Sequence, residues 1–350
     1  MEIKNALKMM IEKPSVSGFE ASMSNIIASF FKDNCNDIKR DKLGNLIVYK
    51  KGTSKTPIKI MLAAHMDEIG LMVKDIDKNG FVKFTNIGGV DQRTLLAQEV
   101  IIHGKKDVFG VIATKAPHLQ TPEERKNAIK IEDMLIDIGL SKGEAEKIIT
   151  IGDPITINRK MIPLQNNVIA GKSLDDKAGI AAMIECFKEL KKIQHQCDVY
   201  GVATVQEEVG TRGAMVSTFQ ISPDIGIAID VGFGKTPELS KDDTLELGKG
   251  PGLGFGANIH PKIHERLKEI AKEYNIPYQI ELSPGNSGTD AQSIQITQSG
   301  VATGVISIPL RYMHTSVETI DITDIKNTGK LLAYFISSLD DEDLEGFLCF

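Results

Sequence analysis

The feature that most constrains this chain is a series of short apolar runs, hydrophobic on both faces, that stop at a histidine or an acid. Ile58–Ala63 runs into Ala64-His65-Met66-Asp67, and Val199–Val205 runs into Gln206-Glu207-Glu208. Ile225–Val231 carries Asp230 near its end, and Thr303–Ile308 leads to Arg311-Tyr312-Met313-His314. Runs of this length without polar alternation fit strands covered by helices on both faces. Helical spacing supplies the cover. Ile3, Leu7, Met10 and Ile11 form one stripe, and further helices are predicted at Ser17–Phe31, Asp175–Ile193, Pro261–Tyr274 and Thr323–Leu339. Strands alternating with helices make this an α/β protein.

Between Asp67 and Lys160 the texture changes. Short β-like segments with Gly and Asn punctuation dominate (IGLMVKDI, FVKFTNIGG, EVIIHG, DVFGVIAT). One helix is predicted there, at Ser141–Ile149, where Ser141 and Glu144 have capping-box spacing. The expected organisation is an α/β domain of residues 1–66 and 161–350, interrupted by an all-β insertion at 67–160. Two domains is also what 350 residues lead one to expect.

Composition narrows the function. Lys and Arg number 41 against 47 Asp and Glu, a net charge of −6, which argues against a surface that coats nucleic acid. No stretch approaches the roughly 18–20 uncharged apolar residues of a membrane span. Glu2, Lys4 and Lys8 interrupt what a signal peptide would keep apolar. A cytoplasmic protein with no nucleic-acid or membrane partner is predicted. Cys35, Cys186, Cys197 and Cys349 lack CxxC spacing and are read as packing or surface residues.

The chemistry lies where the strands end, which is where open α/β sheets build their sites. Side chains alternate along extended chain, so His65 and Asp67 project to one side, and Asp67 can accept the second ring N–H of a metal-bound imidazole. Asp175 and Asp176 open a predicted helix. Either they serve as favourable charges at its N-terminus, or Asp175 offers its two carboxylate oxygens to two cations. Glu207 and Glu208 leave a buried strand in different directions, so one can bind metal while its neighbour acts on water. Taken singly, each group has an ordinary structural reading. Taken jointly, two histidines and three carboxylates supply two metal centres, each with one imidazole, one terminal carboxylate and a share of a bridging one. This nitrogen and oxygen set without thiolate suits Zn²⁺, Co²⁺ or Mn²⁺. It leaves Glu207 unassigned, as a general base requires.

The motifs HMDEIG, SLDDKAG, QEEVGTRGA, IDVG and RYMHTSVE, with IGDP and NSGTDA, resemble the M42 family of dinuclear-metal aminopeptidases over essentially the whole chain. The resemblance implies a zinc-exopeptidase-like fold, with a central mixed sheet flanked by helices and an inserted all-β PDZ-like domain that mediates dimerisation. It implies that His65 binds one metal and His314 the other, with Asp175 bridging and Glu208 and Asp230 as terminal ligands. Glu207 becomes the catalytic base and acid, Asp67 the partner that orients His65, and the Asp175–Asp176 peptide is expected to be cis. Thr315-Ser316 stands where the family often has Ser-Pro, which touches no ligand. The expected partners are short peptides and copies of the chain itself, from a dimer up to a hollow dodecamer. His103 and His118, both in the insertion, are read as structural.

The implied reaction is removal of one N-terminal residue from short peptides, with the free amine against the acidic cluster. Two other readings compete. Paired carboxylates can also serve a glycoside hydrolase, and family members are often labelled endoglucanases, but histidines at strand ends serve nothing there and the chain has no Trp for sugar stacking. A catalytically silent, oligomeric peptide-binding protein is the other, and the intact ligand set speaks against it. Gly250–His260 and Ser283–Asp290, both glycine-rich, are candidate walls of the substrate pocket.

Overall fold

A computed structural model describes residues 2–340, 343 and 346. The first helix, α1 (Ile3–Ile11), buries Leu7, Met10 and Ile11, and α2 (Ala21–Phe31) buries Met23, Ile27 and Phe31. Then β1 (Asp37–Arg40) and β2 (Leu46–Lys50) lead to β3 (Lys59–His65), which is buried from Ile60 to His65. That uninterrupted burial follows from its place near the middle of the large sheet.

The chain next leaves the sheet and builds a closed six-stranded barrel. Its strands are β4 (Gly70–Ile76), β5 (Val82–Ile87), β6 (Glu99–His103), β7 (Asp107–Ala113), β8 (Leu135–Asp137) and β9 (Pro154–Ile157), paired in the order β4-β5-β8-β7-β6-β9 and closing through β9 against β4. Strict alternation along β7 puts Val108 and Ile112 inside with Val82, Phe84, Val100 and Ile136, so the barrel has its own core. The helix expected at Ser141–Ile149 is shorter: α3 spans only Lys142–Ala145. The capping box is present, with the Glu144 carboxylate accepting from the Ser141 N–H and hydroxyl. The turn stops because the Ile148 and Lys147 carbonyls accept from the backbone and side chain of Lys105, which tie the segment to the barrel.

Back in the sheet come β10 (Ile162–Pro163), β11 (Val168–Gly171), α4 (Leu174–Leu190), β12 (Asp198–Thr204), α5 (Arg212–Ile221), β13 (Ile225–Phe233) and β14 (Gly252–Gly256). They are followed by α6 (Pro261–Glu273), β15 (Gln279–Ser283), α7 (Ala291–Gln295), β16 (Ala302–Arg311), β17 (Glu318–Asp321) and α8 (Ile322–Ser337). The order β1-β2-β12-β3-β13-β16-β17-β11-β10, with β14 and β15 branching from β16, makes a mixed sheet of eleven strands. Its centre, β12-β3-β13-β16, is parallel, so four strands end at one edge. Helix α4 is buried along most of its length against α8 and the sheet, the cover that the two-faced apolar strands require. No helix among the described residues is long and apolar enough to cross a membrane.

Candidate metal centre

The parallel edge gathers every residue singled out by the strand ends. His65 closes β3, and its register partner Thr204 closes β12, so Glu207 and Glu208 emerge beside it. Asp230 lies near the end of β13. His314 lies three residues beyond β16, and Asp175 follows Ser173 at the head of α4. Several of these turns are sterically costly. Ser173, Gln206, Tyr312 and His314 all have φ between 52° and 61°, a region non-glycine residues rarely occupy, and it clusters here. The Asp175–Asp176 peptide is cis, as the resemblance implies.

Asp175 is the hub. Its Oδ1 lies 3.0 Å from His65 Nε2 and its Oδ2 lies 3.3 Å from His314 Nε2. Glu208 Oε1 is 3.5 Å from the same His314 nitrogen. Two groups follow, His65 with Asp175 and Asp230, and His314 with Asp175 and Glu208. In each, one donor atom per residue falls within 4.8 Å of the others. The donor chemistry of both fits a divalent cation of borderline hardness. Glu207 belongs to neither group.

The surroundings orient these groups. Asp67 Oδ2 accepts from the Ser17 hydroxyl at 2.6 Å, and the Asp67 carboxylate also accepts the N–H groups of Glu207 and Glu208. His65 Nδ1 is 3.2 Å from the Asp67 main-chain oxygen and 3.6 Å from its carboxylate, so the hydrogen bond runs to the backbone and the carboxylate acts as a nearby charge. Glu318, which no sequence argument singled out, accepts the N–H of Asp175 at 3.1 Å and of His314 at 2.9 Å. Asp176 does the same for His65 and Gly179. His314 Nδ1 faces the Gly89 carbonyl at 3.1 Å, a contact supplied by the barrel side of the chain.

Electrostatics mark the centre as crowded with acid. Burial pushes Glu207 up to about 10, and the charges of Asp230, Asp290 and Glu208 add to it. Burial likewise lifts Glu208 to about 7, with Asp175 contributing, and holds Asp230 well above the usual carboxylate range. Asp175 runs the other way: burial opposes ionisation, but the bonds from His314 and His65 overcome it and keep the carboxyl below its ordinary value. His314 rises to about 9, first through its bond to Asp175. Like charges buried this closely repel unless a cation compensates, so the electrostatics agree with the donor chemistry.

A cleft of about 730 Å³ opens from the centre, walled by Gly254 and by residues 283–289, which fall in the two glycine-rich segments proposed from sequence. His103 is absorbed into the barrel, bonded to Asp107 and Thr156, and His118 sits in a short turn after β7. Cys35 is half-buried and Cys186 and Cys197 are buried, the last donating to the Ile336 and Leu339 carbonyls, whereas Cys349 lies outside the described residues.

Comparison with known proteins agrees with this geometry. A model described as M42 glutamyl aminopeptidase matches residues 44–331. The lysyl aminopeptidase of Pyrococcus furiosus is 42% identical over 345 residues, covering 96% of this chain and 97% of that one. Among solved structures, an aminopeptidase from the archaeon Desulfurococcus kamchatkensis superposes with a TM-score of 0.93 at 37% identity, covering 99% and 98% of the two chains. The Pyrococcus horikoshii TET1 peptidase, described as assembling into a tetrahedron or a large octahedral shell, gives 0.85 at 31% identity, covering 97% and 100%.

Proposed function

The chain belongs to the M42 glutamyl aminopeptidase family and is a metal-dependent aminopeptidase, and from that premise we propose that it works with two divalent ions, Zn²⁺ or Co²⁺ with Mn²⁺ as a further fit. The observation that carries the proposal is the pair of ligand groups sharing Asp175. His65 and Asp230 would hold one ion and His314 and Glu208 the other, with Asp175 shared between the two groups. When bound, such ions supply Lewis-acid polarisation of the scissile carbonyl and water that ionises at neutral pH.

The remaining work falls to the chain. Glu207, beside the ligand residues in the cleft yet in neither group, takes a proton from the attacking water and returns it to the leaving amine. Without cations burial raises its carboxyl to about 10, and the charge of two bound ions would lower that value and leave it able to accept the proton. The acidic cluster receives the free α-amine of a short peptide, which favours removal of one residue at a time. The Asp67 main-chain oxygen orients the His65 ring, and Glu318 fixes the backbone of Asp175 and His314.

Residues 67–160 are the proposed dimerisation domain, PDZ-like, on a zinc-exopeptidase-like scaffold. The outward face of β7 supports this, since Phe109 is 65% and Val111 47% exposed. Dimers and larger closed shells are the assemblies this face suits, in line with the shell-forming relative.

Glu207→Gln in metal-loaded protein tests the mechanism. Turnover of aminoacyl-p-nitroanilides is expected to fall about 10²–10⁴-fold while two ions per chain are retained. Near-normal turnover would remove Glu207 from the reaction. Chelation is expected to abolish turnover, and adding metal back to restore it. A carboxylate-pair glycosidase would keep its activity.

A further inference from the structure

The family description says glutamyl and one relative is a lysyl enzyme, so the preferred residue has to be sought in the cleft itself. One side chain there breaks the burial pattern of its own strand. β15 reads Gln279-Ile280-Glu281-Leu282-Ser283, and its apolar residues face out: Ile280 is 46% and Leu282 67% exposed, while Glu281 is half-buried on the inner side. A carboxylate within and a leucine outside is unfavourable unless something compensates the carboxylate. Within the protein its bonding partner is the Ser307 side chain, and burial holds its carboxyl above the ordinary glutamate range.

Geometry ties this carboxylate to the reaction centre. Ser307 pairs with Asp230 between β16 and β13. Gly232 lies two residues beyond Asp230 on the same face of β13, and a Cβ built there would come within 2.7 Å of Glu281 Oε1. Glu281 therefore stands roughly 7 Å along the strand from Asp230. Gly232, Gly254 and Ser307 are small and leave the space between open. Among the described residues that line the cleft there is no lysine or arginine. Two divalent ions would balance the acids of the centre, but among the described residues that line the cleft no cationic side chain faces Glu281.

We propose that the cleft selects a cationic N-terminal side chain, lysine or arginine, and that Glu281 pairs with its charge. This rests on the aminopeptidase reading and names its substrate class. A substrate whose α-amine lies at the Asp230 end extends a four-carbon lysine stem toward Glu281. A neutral aliphatic chain covers the carboxylate without pairing it, and a glutamate side chain is repelled.

The test uses lysine, arginine, norleucine and glutamate p-nitroanilides on cobalt-loaded enzyme, norleucine being the lysine stem without its ammonium. Wild type is expected to favour lysine over norleucine about 30-fold in kcat/KM, and E281Q to lower that ratio by a similar factor. E281K is expected to move preference toward glutamate. A wild type without lysine preference, or an E281Q protein of normal melting temperature with an unchanged lysine-to-norleucine ratio, overturns the proposal. An equal fall on all four substrates overturns it too, because it assigns Glu281 to the α-amine. Calorimetry with lysinamide and norleucinamide separates the two readings. Lysinamide binding that E281Q removes, with no turnover of any substrate, upholds the subsite and overturns the aminopeptidase mechanism instead.

Discussion

His65 and His314 reach the same bridging carboxylate from opposite sides, yet one is 2% exposed at the end of a central strand and the other is a third exposed on a loop. On the His65 side every positioning group comes from the core. β3 is buried from Ile60 onward, and Asp67 is pinned by Ser17 and by two backbone amides. On the His314 side the backbone is left-handed, its N–H is held by Glu318, and the ring faces the Gly89 carbonyl. One half is preformed by the sheet. The other forms where the loop after β16 meets the barrel connection, so the insertion shapes the chemistry as well as any assembly.

Removing the residue that both halves share breaks the comparison outright. Asp175→Ala is expected to lose both ions and to cut turnover on the order of 10⁴-fold or more, as elemental analysis and a p-nitroanilide assay would read. Retention of one tight ion would mean that Asp175 is terminal, and the two halves would then be independent.

The same contrast explains what could be read from the sequence. Strands β3, β12, β13 and β16 and helix α4 were legible because burial on both faces leaves nothing polar to confuse the pattern, and the site residues stand at their ends. Helix α5 was not read as a helix. It begins after Thr211 in a left-handed conformation, and its buried residues before the closing Ile221 are small: Gly213, Ala214, Ser217 and Thr218. Strand β15 was missed because its apolar residues face outward. Glu318 could not be singled out, because its role is to accept two backbone N–H groups from distant segments, and no spacing along the chain encodes that.

Two substitutions sharpen the contrast by touching the halves unequally. Asp67→Asn is expected to weaken both ions, because the Asp67 carboxylate lies 3.6 Å from His65 and also accepts the N–H of Glu208, whereas Gly89→Ala weakens the His314 ion, since a Cβ at 89 would lie 2.8 Å from the ring Nδ1. Losses of orienting groups typically cost about 10–100-fold in metal affinity. A two-step Co²⁺ titration by calorimetry should show both steps shifted by Asp67→Asn and one by Gly89→Ala. Equal weakening of both steps by Gly89→Ala would contradict a separate role for the barrel connection in shaping the His314 half.

The smallest expected effect is a pH profile, and its sign is fixed by the acids of both halves. Glu208 is raised by burial to about 7, Asp230 moves the same way, and His314 is raised to about 9 by its bond to Asp175. For a carboxyl raised on folding, stability is full below its unfolded pKa near 4.5 and is lost as pH climbs through 7. For His314 it is full below about 6.5 and is lost as pH climbs through 9. Both run in one direction, and the opposite contributions, from the lowered Asp175, Asp67 and Glu68, act at acid pH. Chelated protein should therefore melt several degrees lower at pH 8.5 than at pH 5.5. Metal-loaded protein should lose that slope, since bound cations hold the same groups deprotonated. Parallel melting profiles with and without metal would mean that these carboxylates and imidazoles do not face the ions, and the two-halved centre would have to be abandoned.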